Sequence, residues 1–456
     1  MARIVHTLLA VSILMFANGA RADLEAGAAK QSIVPPFPTV MGGYFDRTAT
    51  FEGVDRPVYA RALVCRNGET AVAVLVADLI GVSKTLVEGT RQRASAATGL
   101  APENILIAAT HTHAGPAGFT GGVTARESDN TQLDEFLIGA FTACLEAAWA
   151  DLKPAELGFA YGRLDGITTN RQQNNDTAID PDVGVLKIQE KGTRNTIATL
   201  ANFTGHPVIL DSTNLLLSCE YPGVACDTVE GAIGGVAIFT QGACGDITMK
   251  RSGPKFDEVT RLGRVVGGEI IATAEQIAMG AESTLRSRWS PIVLEERVLP
   301  APDAAEAGIA AAEAAHQAAV DAGKPEMIVR DLRREISAAN TTAMVARAAA
   351  ERPELLSSAA NTSWHVLQIG PMVAVGMPGE LFVEYGLEMK RRVAQDTGRP
   401  MILVGYANDY IGYIITPRAG GTGGYERAVS RVAPTAGRML TEAAMAAIRE
   451  IVAPVE

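Results

Sequence analysis

The sequence predicts an α/β fold of mixed sheets with packed helices, in a single large domain. Three observations predict it. Strand-type and helix-type runs alternate along the 456 residues, the pattern of layered α/β proteins. The composition is 47% hydrophobic, 20% charged and 5% aromatic, which excludes a disordered chain, collagen and a coiled coil. No internal repeat or linker interrupts the chain, so one unit is simpler than the three domains that ~150 residues per domain would allow. The net charge is −11 and the mean hydropathy +0.13. An acidic chain with no basic block is a poor match for nucleic acid or an anionic membrane.

The chain opens with Arg3, an apolar run Leu8–Ala17 and the small-residue site Ala20-Arg21-Ala22. This reads as a cleavable secretory signal over residues 1–22, cut near Ala22. The run is shorter than the ~20 residues a membrane span needs. Cleavage removes Arg3 and Arg21, leaving 434 residues with a net charge of −13. No later segment is long and apolar enough to span. The expected product is exported, periplasmic or secreted, and carries no stable membrane span.

Val58–Arg66 and Thr70–Leu79 are β-rich and flank Asn67-Gly68, a hairpin turn signal. Val82–Ala97 has helical spacing, Asn104–Ala109 is a short apolar strand, and Thr131–Ala150 is an amphipathic helix. Strand-type runs follow at Leu157–Arg163, Val183–Gln189, Thr196–Phe203 and Val236–Thr240, then a helix from Phe256 to Met279. Residues 301–320 hold 11 alanines, and Leu332–Ala350 is again helical. The Ala-rich segment 301–358 therefore reads as a helical hairpin packed on the core. Trp364–Ile369 and Met372–Met377 form a strand pair about Gly370-Pro371, and Leu381–Val393 and Arg438–Val452 are helical.

The five cysteines are Cys65, Cys144, Cys219, Cys226 and Cys244. Export permits disulfides, and Cys219 and Cys226 are close enough in sequence to bridge a short loop. Their odd number leaves at least one thiol free.

Of six histidines, His6 leaves with the signal, and His316 and His365 sit within helix-type and strand-type runs. The other three end apolar runs. His111 and His113 follow Ile105–Thr110 and enter a Gly/Pro-rich loop, and His206 follows Thr199–Gly205. Strand ends facing loops are where α/β proteins place their sites. Residues two apart in an extended chain point the same way, so His111 and His113 can share a pocket. Imidazole suits zinc, and a distant third ligand is normal in a catalytic site; loop-capping hydrogen bonds are the plain alternative. Asp246, in Cys244-Gly-Asp, and Glu380, after Met377-Pro-Gly, are the carboxylates placed to complete such a site.

These residues carry a family resemblance. THTHAGPAGF, Thr110 to Phe119, resembles the signature loop of the neutral/alkaline non-lysosomal ceramidases. VYARALV at 58–64, Asn170-Arg171, DPDVGVLKI at 180–188, Gly205-His206-Pro207, QGACGDIT at 241–248, MPGELF at 377–382, YANDYIGYIITP at 406–417 and Tyr425-Glu426 follow in the family's order. The likeness spans roughly Met41 to Leu440. It implies a zinc-dependent hydrolase of an N-acyl amide bond, in which a zinc-activated water attacks the carbonyl. The ligands it implies are His111, His206, Glu380 and Tyr413. It moves His113 from the metal to the substrate side, as proton shuttle, and sets Arg171 and Tyr425 against the scissile amide. Thr248 stands where the family carries a serine, and keeps a hydroxyl there. The family's ceramidases continue into an immunoglobulin-like C-terminal domain, which this chain, stopping at Glu456, is expected to lack. The expected partner is therefore a small-molecule or lipid-like amide, with no nucleic acid. Two alternatives stay open: a zinc-dependent esterase, lactonase or cyclic amidase on a small soluble substrate, and a non-catalytic exported ligand-binding protein.

Overall fold

The strand runs are apolar on both faces because both faces are covered. The computed structural model describes residues 23–117, 131–172, 178–422, 424–452 and 454–455; the expected signal, residues 1–22, lies outside the described residues. In the strands Tyr59–Asn67, Thr70–Ala77 and Ile105–Ala109, one alternate set of side chains packs on helices. Ala62, Val64, Leu75 and Ile107 meet Leu86, Leu137 and Phe141 there. The other set, Leu63, Cys65, Val74 and Leu106, meets Leu367, Met372, Ala374 and Ile402 of a second sheet. That sheet's far face, Val366, Val375 and Leu403, packs on Met389, Leu440 and Ile448. The result is four layers: helices, sheet, sheet, helices. Fully burying side chains such as Leu75 and Phe141 stabilises the fold by ~1.5–3 kcal/mol each.

The larger sheet has eight strands. Their spatial order is Val236–Gln241, Thr196–Phe203, Asp182–Glu190, Lys153–Arg163, Leu24–Ser32, Tyr59–Asn67, Thr70–Ala77 and Ile105–Ala109. Only its two outermost pairs are parallel; the inner pairs are antiparallel. The smaller sheet runs Leu285–Val293, Asn361–Ile369, Met372–Gly376 and Met401–Val404, with its last pair parallel. Helices Glu220–Ile233 and Phe256–Ala274 cover one half of the large sheet, and Lys84–Thr98 and Thr131–Ala150 the other.

The expected α/β class and most of the expected elements are present. The Ala-rich segment is a pair of helices, Pro302–Asp321 and Glu326–Glu351, packed on each other and on the short helix Tyr425–Val429. The hairpin near residue 67 turns on Gly68-Glu69, one position later than expected, with Gly68 at φ 61°. The helix expected from Leu381 begins at Val383, because Glu380-Leu381 pairs with Tyr413-Ile414 as a two-residue parallel strand. No disulfide joins Cys219 to Cys226; all five cysteines are buried and free. Cys219 caps the helix that contains Cys226. Seven helical residues rise ~10 Å, beyond the 4.4–6.8 Å between bridged Cα atoms. Among the described residues no helix is long and apolar enough to cross a membrane.

Candidate metal centre

The site forms where strands of both sheets end. Ile105–Ala109 runs into His111, Thr196–Phe203 into His206, Met372–Gly376 into Glu380, and Met401–Val404 into Tyr406. His111 turns off its strand in the left-handed region, at φ 66°, a conformation that costs a non-glycine residue ~1–3 kcal/mol and persists only where surroundings impose it. Here the preceding residue is tied down: Thr110 N–H donates to Ala77 O at 2.9 Å, and its hydroxyl donates to Asp78 Oδ1 at 3.2 Å.

His111 and His206 are each 1% exposed. His111 Nδ1 lies 2.6 Å from the Ile80 carbonyl, and His206 Nδ1 lies 3.1 Å from the Cys244 carbonyl. Carbonyls only accept, so these partners assign the ring proton to Nδ1 in both. The two Nε2 lone pairs then face each other across 2.8 Å. His113 Nε2 lies 3.2 Å from His111 Nε2. Burial, then the positive charge of Arg171, holds His206 well below the usual imidazole range. Bare lone pairs this close repel unless a cation lies between them. The three ring nitrogens all sit within 4.8 Å of one another, a donor set suited to a divalent metal ion.

Glu380 supplies the negative charge. Its Oε2 is buried and has no hydrogen-bond partner among the described residues. It lies 3.5 Å from His111 Nε2 and 3.7 Å from His206 Nε2. Burial works to raise this carboxyl, but His111, the Tyr410 hydroxyl and Arg171 outweigh it and leave the pKa lowered. A buried oxygen aimed at two bare imidazoles is what a metal would satisfy. Backbone register places Tyr413 beside Glu380, and the Tyr413 hydroxyl accepts from Arg171 Nη2 at 2.8 Å.

The remaining expected residues surround this group. Arg171 also donates to Gly245 O at 2.7 Å and pairs with Glu426 at 2.7 Å. Tyr425 is 43% exposed; its ring stands edge-on to Tyr413, centroids 5.9 Å apart, so it lies at the mouth. Thr248 reaches the site through its backbone, bridged to His206 and opposite Thr169. Asp246 stays outside. Its two oxygens accept from Val383 N–H at 2.8 Å and Asn170 Nδ2 at 2.9 Å, and burial pushes its pKa up to about 7. It braces the loop that presents Arg171, whose own N–H donates to Asp246 O at 2.9 Å.

Several supporting residues carry no local sequence signal. Arg47 donates to the His113 carbonyl at 2.6 Å, and Tyr44 packs edge-on against the His113 ring, centroids 5.2 Å apart. Tyr406 stacks on His111 at 4.0 Å. The Tyr410 hydroxyl donates to Glu380 Oε1. Tyr406 and Tyr410 lie in the segment YANDYIGYIITP at 406–417, where the resemblance singles out only Tyr413.

Fold and site together define a four-layer α/β protein with a buried histidine–carboxylate centre suited to a metal ion. The chain belongs to the neutral/alkaline non-lysosomal ceramidase family, whose N-terminal sequence profile matches residues 25–262. It is similar to the neutral ceramidase of Mycobacterium tuberculosis, 26% identical over 454 residues, covering 83% of this chain and 69% of that one. It is also similar to the neutral ceramidase of Pseudomonas aeruginosa, 25% identical over 313 residues, covering 62% of this chain and 47% of that one. A third relative is neutral ceramidase B of Dictyostelium discoideum, 28% identical over 176 residues, 33% of this chain and 24% of that one. The crystal structure of the Pseudomonas aeruginosa neutral ceramidase superposes with a TM-score of 0.72 at 22% identity, covering 95% of this chain and 76% of that chain. A ceramidase complexed with C2 gives 0.71 at 19% identity, with the same coverage.

Proposed function

We propose that this chain is an exported zinc-dependent hydrolase of an N-acyl amide, with residues 23–456 acting as one catalytic unit after removal of residues 1–22. The single observation that carries the reading is the pair of bare, buried Nε2 atoms 2.8 Å apart beside the unsatisfied Glu380 Oε2. Membership of the ceramidase family supplies the bond type. His111, His206, Glu380 and Tyr413 would hold the zinc. When bound, zinc supplies Lewis acidity for the substrate carbonyl and an acidified water at neutral pH.

The protein's own groups do the rest. His113, kept neutral by burial and by its cationic neighbours, accepts a proton from the attacking water and returns it to the leaving amine. Atoms balance: the C–N bond breaks, a C–O bond forms, and the amine nitrogen leaves with the proton. Tyr425 at the mouth donates a hydrogen bond to the oxyanion, and the Arg171 charge, anchored by Glu426 and Tyr413, stabilises it. Thr248, bridged to His206 through the backbone, keeps a hydroxyl at this position, and a threonine without an evident base is a weak nucleophile.

The test is metal analysis of the purified mature protein, followed by turnover of short-chain fluorogenic N-acyl amides with and without chelator. The expected result is one zinc per chain and chelator-sensitive amide cleavage, both lost in His206→Ala. Metal-free wild type with activity unchanged in His206→Ala would end the proposal. An ester and lactone arm of the same panel separates amide from ester preference.

A further inference from the structure

Glu380 has two carboxylate oxygens, and the protein treats them differently. Oε1 accepts from the Tyr410 hydroxyl, while Oε2, facing the imidazoles, has no hydrogen-bond partner among the described residues. Tyr410 is itself held from several sides. Its carbonyl accepts from Arg431 Nη2 at 2.8 Å, its N–H donates to Asp409 Oδ1 at 2.8 Å, and its ring lies nearly parallel to Tyr406 and His111. Gly81 also lies against the ring. A Cβ at Gly81 would lie 2.8 Å from Tyr410 Cδ2 and 3.0 Å from Cγ, closer than such atoms pack. Gly81 directly follows Ile80, whose carbonyl orients His111. The bare backbone at 81, in the segment whose Ile80 carbonyl aims the histidine, therefore leaves room for the tyrosine ring to reach the carboxylate.

We propose that Tyr410 is a positioning residue that makes Glu380 a one-oxygen ligand, occupying Oε1 so that Oε2 alone turns to the histidines, and that Gly81 is side-chain-free to admit its ring. The inference rests on the reading of the cluster as a metal centre and deepens it. Its energetic logic is that of groups behind a ligand: each fixes the ligand's orientation, and losing one typically weakens metal binding 10–100-fold. Tyr410→Phe removes the hydroxyl and keeps the ring. Gly81→Ala keeps the hydroxyl and displaces the ring. Both act through one contact, so their effects are not additive.

The experiment measures zinc affinity of the full mature chain by competition with a chromogenic chelator, beside the thermal midpoint of the metal-free protein. The variants are Tyr410→Phe, Gly81→Ala and the double variant. The expected result is a ~10–100-fold loss of affinity in each single variant, no further loss on adding Gly81→Ala to Tyr410→Phe, and a metal-free midpoint unchanged by Tyr410→Phe. Wild-type affinity in Tyr410→Phe, with wild type binding one zinc, overturns this inference alone. A matching fall in the metal-free midpoint also overturns it, since general loosening then explains the loss. No zinc uptake by wild type overturns it together with the metal centre.

Discussion

Asp78→Ala should destabilise the protein by ~3–5 kcal/mol, the cost of orphaning a buried charge. Asp78 and Arg61 form an ion pair at 2.9 Å with side chains 0% and 3% exposed. The same carboxylate accepts the Tyr59 N–H at 2.9 Å and the Thr110 hydroxyl. Removing it strands a guanidinium, an N–H and a hydroxyl away from water. Asp227 and Glu230 each lie 3.8 Å from the Arg61 guanidinium and remain to offset part of its charge, so the lower end, ~3 kcal/mol, is expected. Equilibrium urea unfolding of wild type and variant, compared at matched slopes, measures it. A second variant sharpens the logic. Arg61→Met with Asp78→Leu removes both charges and should recover part of the loss, because apolar replacement of a whole buried pair is often neutral. A loss below ~1 kcal/mol in Asp78→Ala would refute the reasoning, since the pair would then behave as a solvent-screened one.

Burial holds the Glu220 carboxyl up at about 8 against an ordinary 4.5, although the Leu210 and Ile209 N–H groups and Arg251 pull it down. The folded value is the raised one, so its stabilising contribution is full below about pH 4.5 and is lost as pH rises through about 8; unfolding midpoints at pH 5, 6.5 and 8 should fall more steeply for wild type than for Glu220→Gln. Gly43 sits at φ 108°, and a Cβ there would lie 2.6 Å from His113 Nδ1. Gly43→Ala should thus lower kcat by about 10²-fold through misplacement of that ring, with zinc content intact by metal analysis. Tyr425→Phe deletes one hydroxyl at the mouth, and should lower kcat ~10²–10³-fold without changing zinc affinity in the chelator titration.

The strand ends and their histidines were legible because each is announced locally, by an apolar run broken at a polar residue. The central strand Leu24–Ser32 was not. Its sequence, LEAGAAKQS, has weak strand propensity. It is small for a reason visible only in the fold: a Cβ at Gly27 would lie 2.2 Å from the Ala148 carbonyl of the helix crossing it. Register against Tyr59–Asn67 overrides propensity there. The choice between carboxylates was likewise open in the sequence, since Asp246 and Glu380 both follow a strand and a glycine. Their hydrogen bonds separate them: both Asp246 oxygens are used by Val383 and Asn170, while Glu380 keeps one unused. Asp78, Arg47 and Tyr410 were silent because their partners are neighbours only in space, Tyr410 meeting Glu380 across 30 positions and Arg47 meeting His113 across 66.

The arrangement explains why the strain at His111 is tolerated. The chain is fixed on both sides of it, by Ala77 and Asp78 on Thr110 before it and by Arg47 on His113 after it. The ring is then clamped by the Ile80 carbonyl on one edge and the Tyr406 face on the other. Those constraints come from both sheets: Ala77 ends a strand of the larger one and Asp78 follows it, and Tyr406 follows a strand of the smaller. A left-handed residue costing ~1–3 kcal/mol is therefore set within packing that orders both sheets. These clamps, a carbonyl and an aromatic face, hold the ring so that its Nε2 faces the cluster. That is the arrangement a preorganised centre needs, since ligands held before binding lose little freedom when an ion arrives.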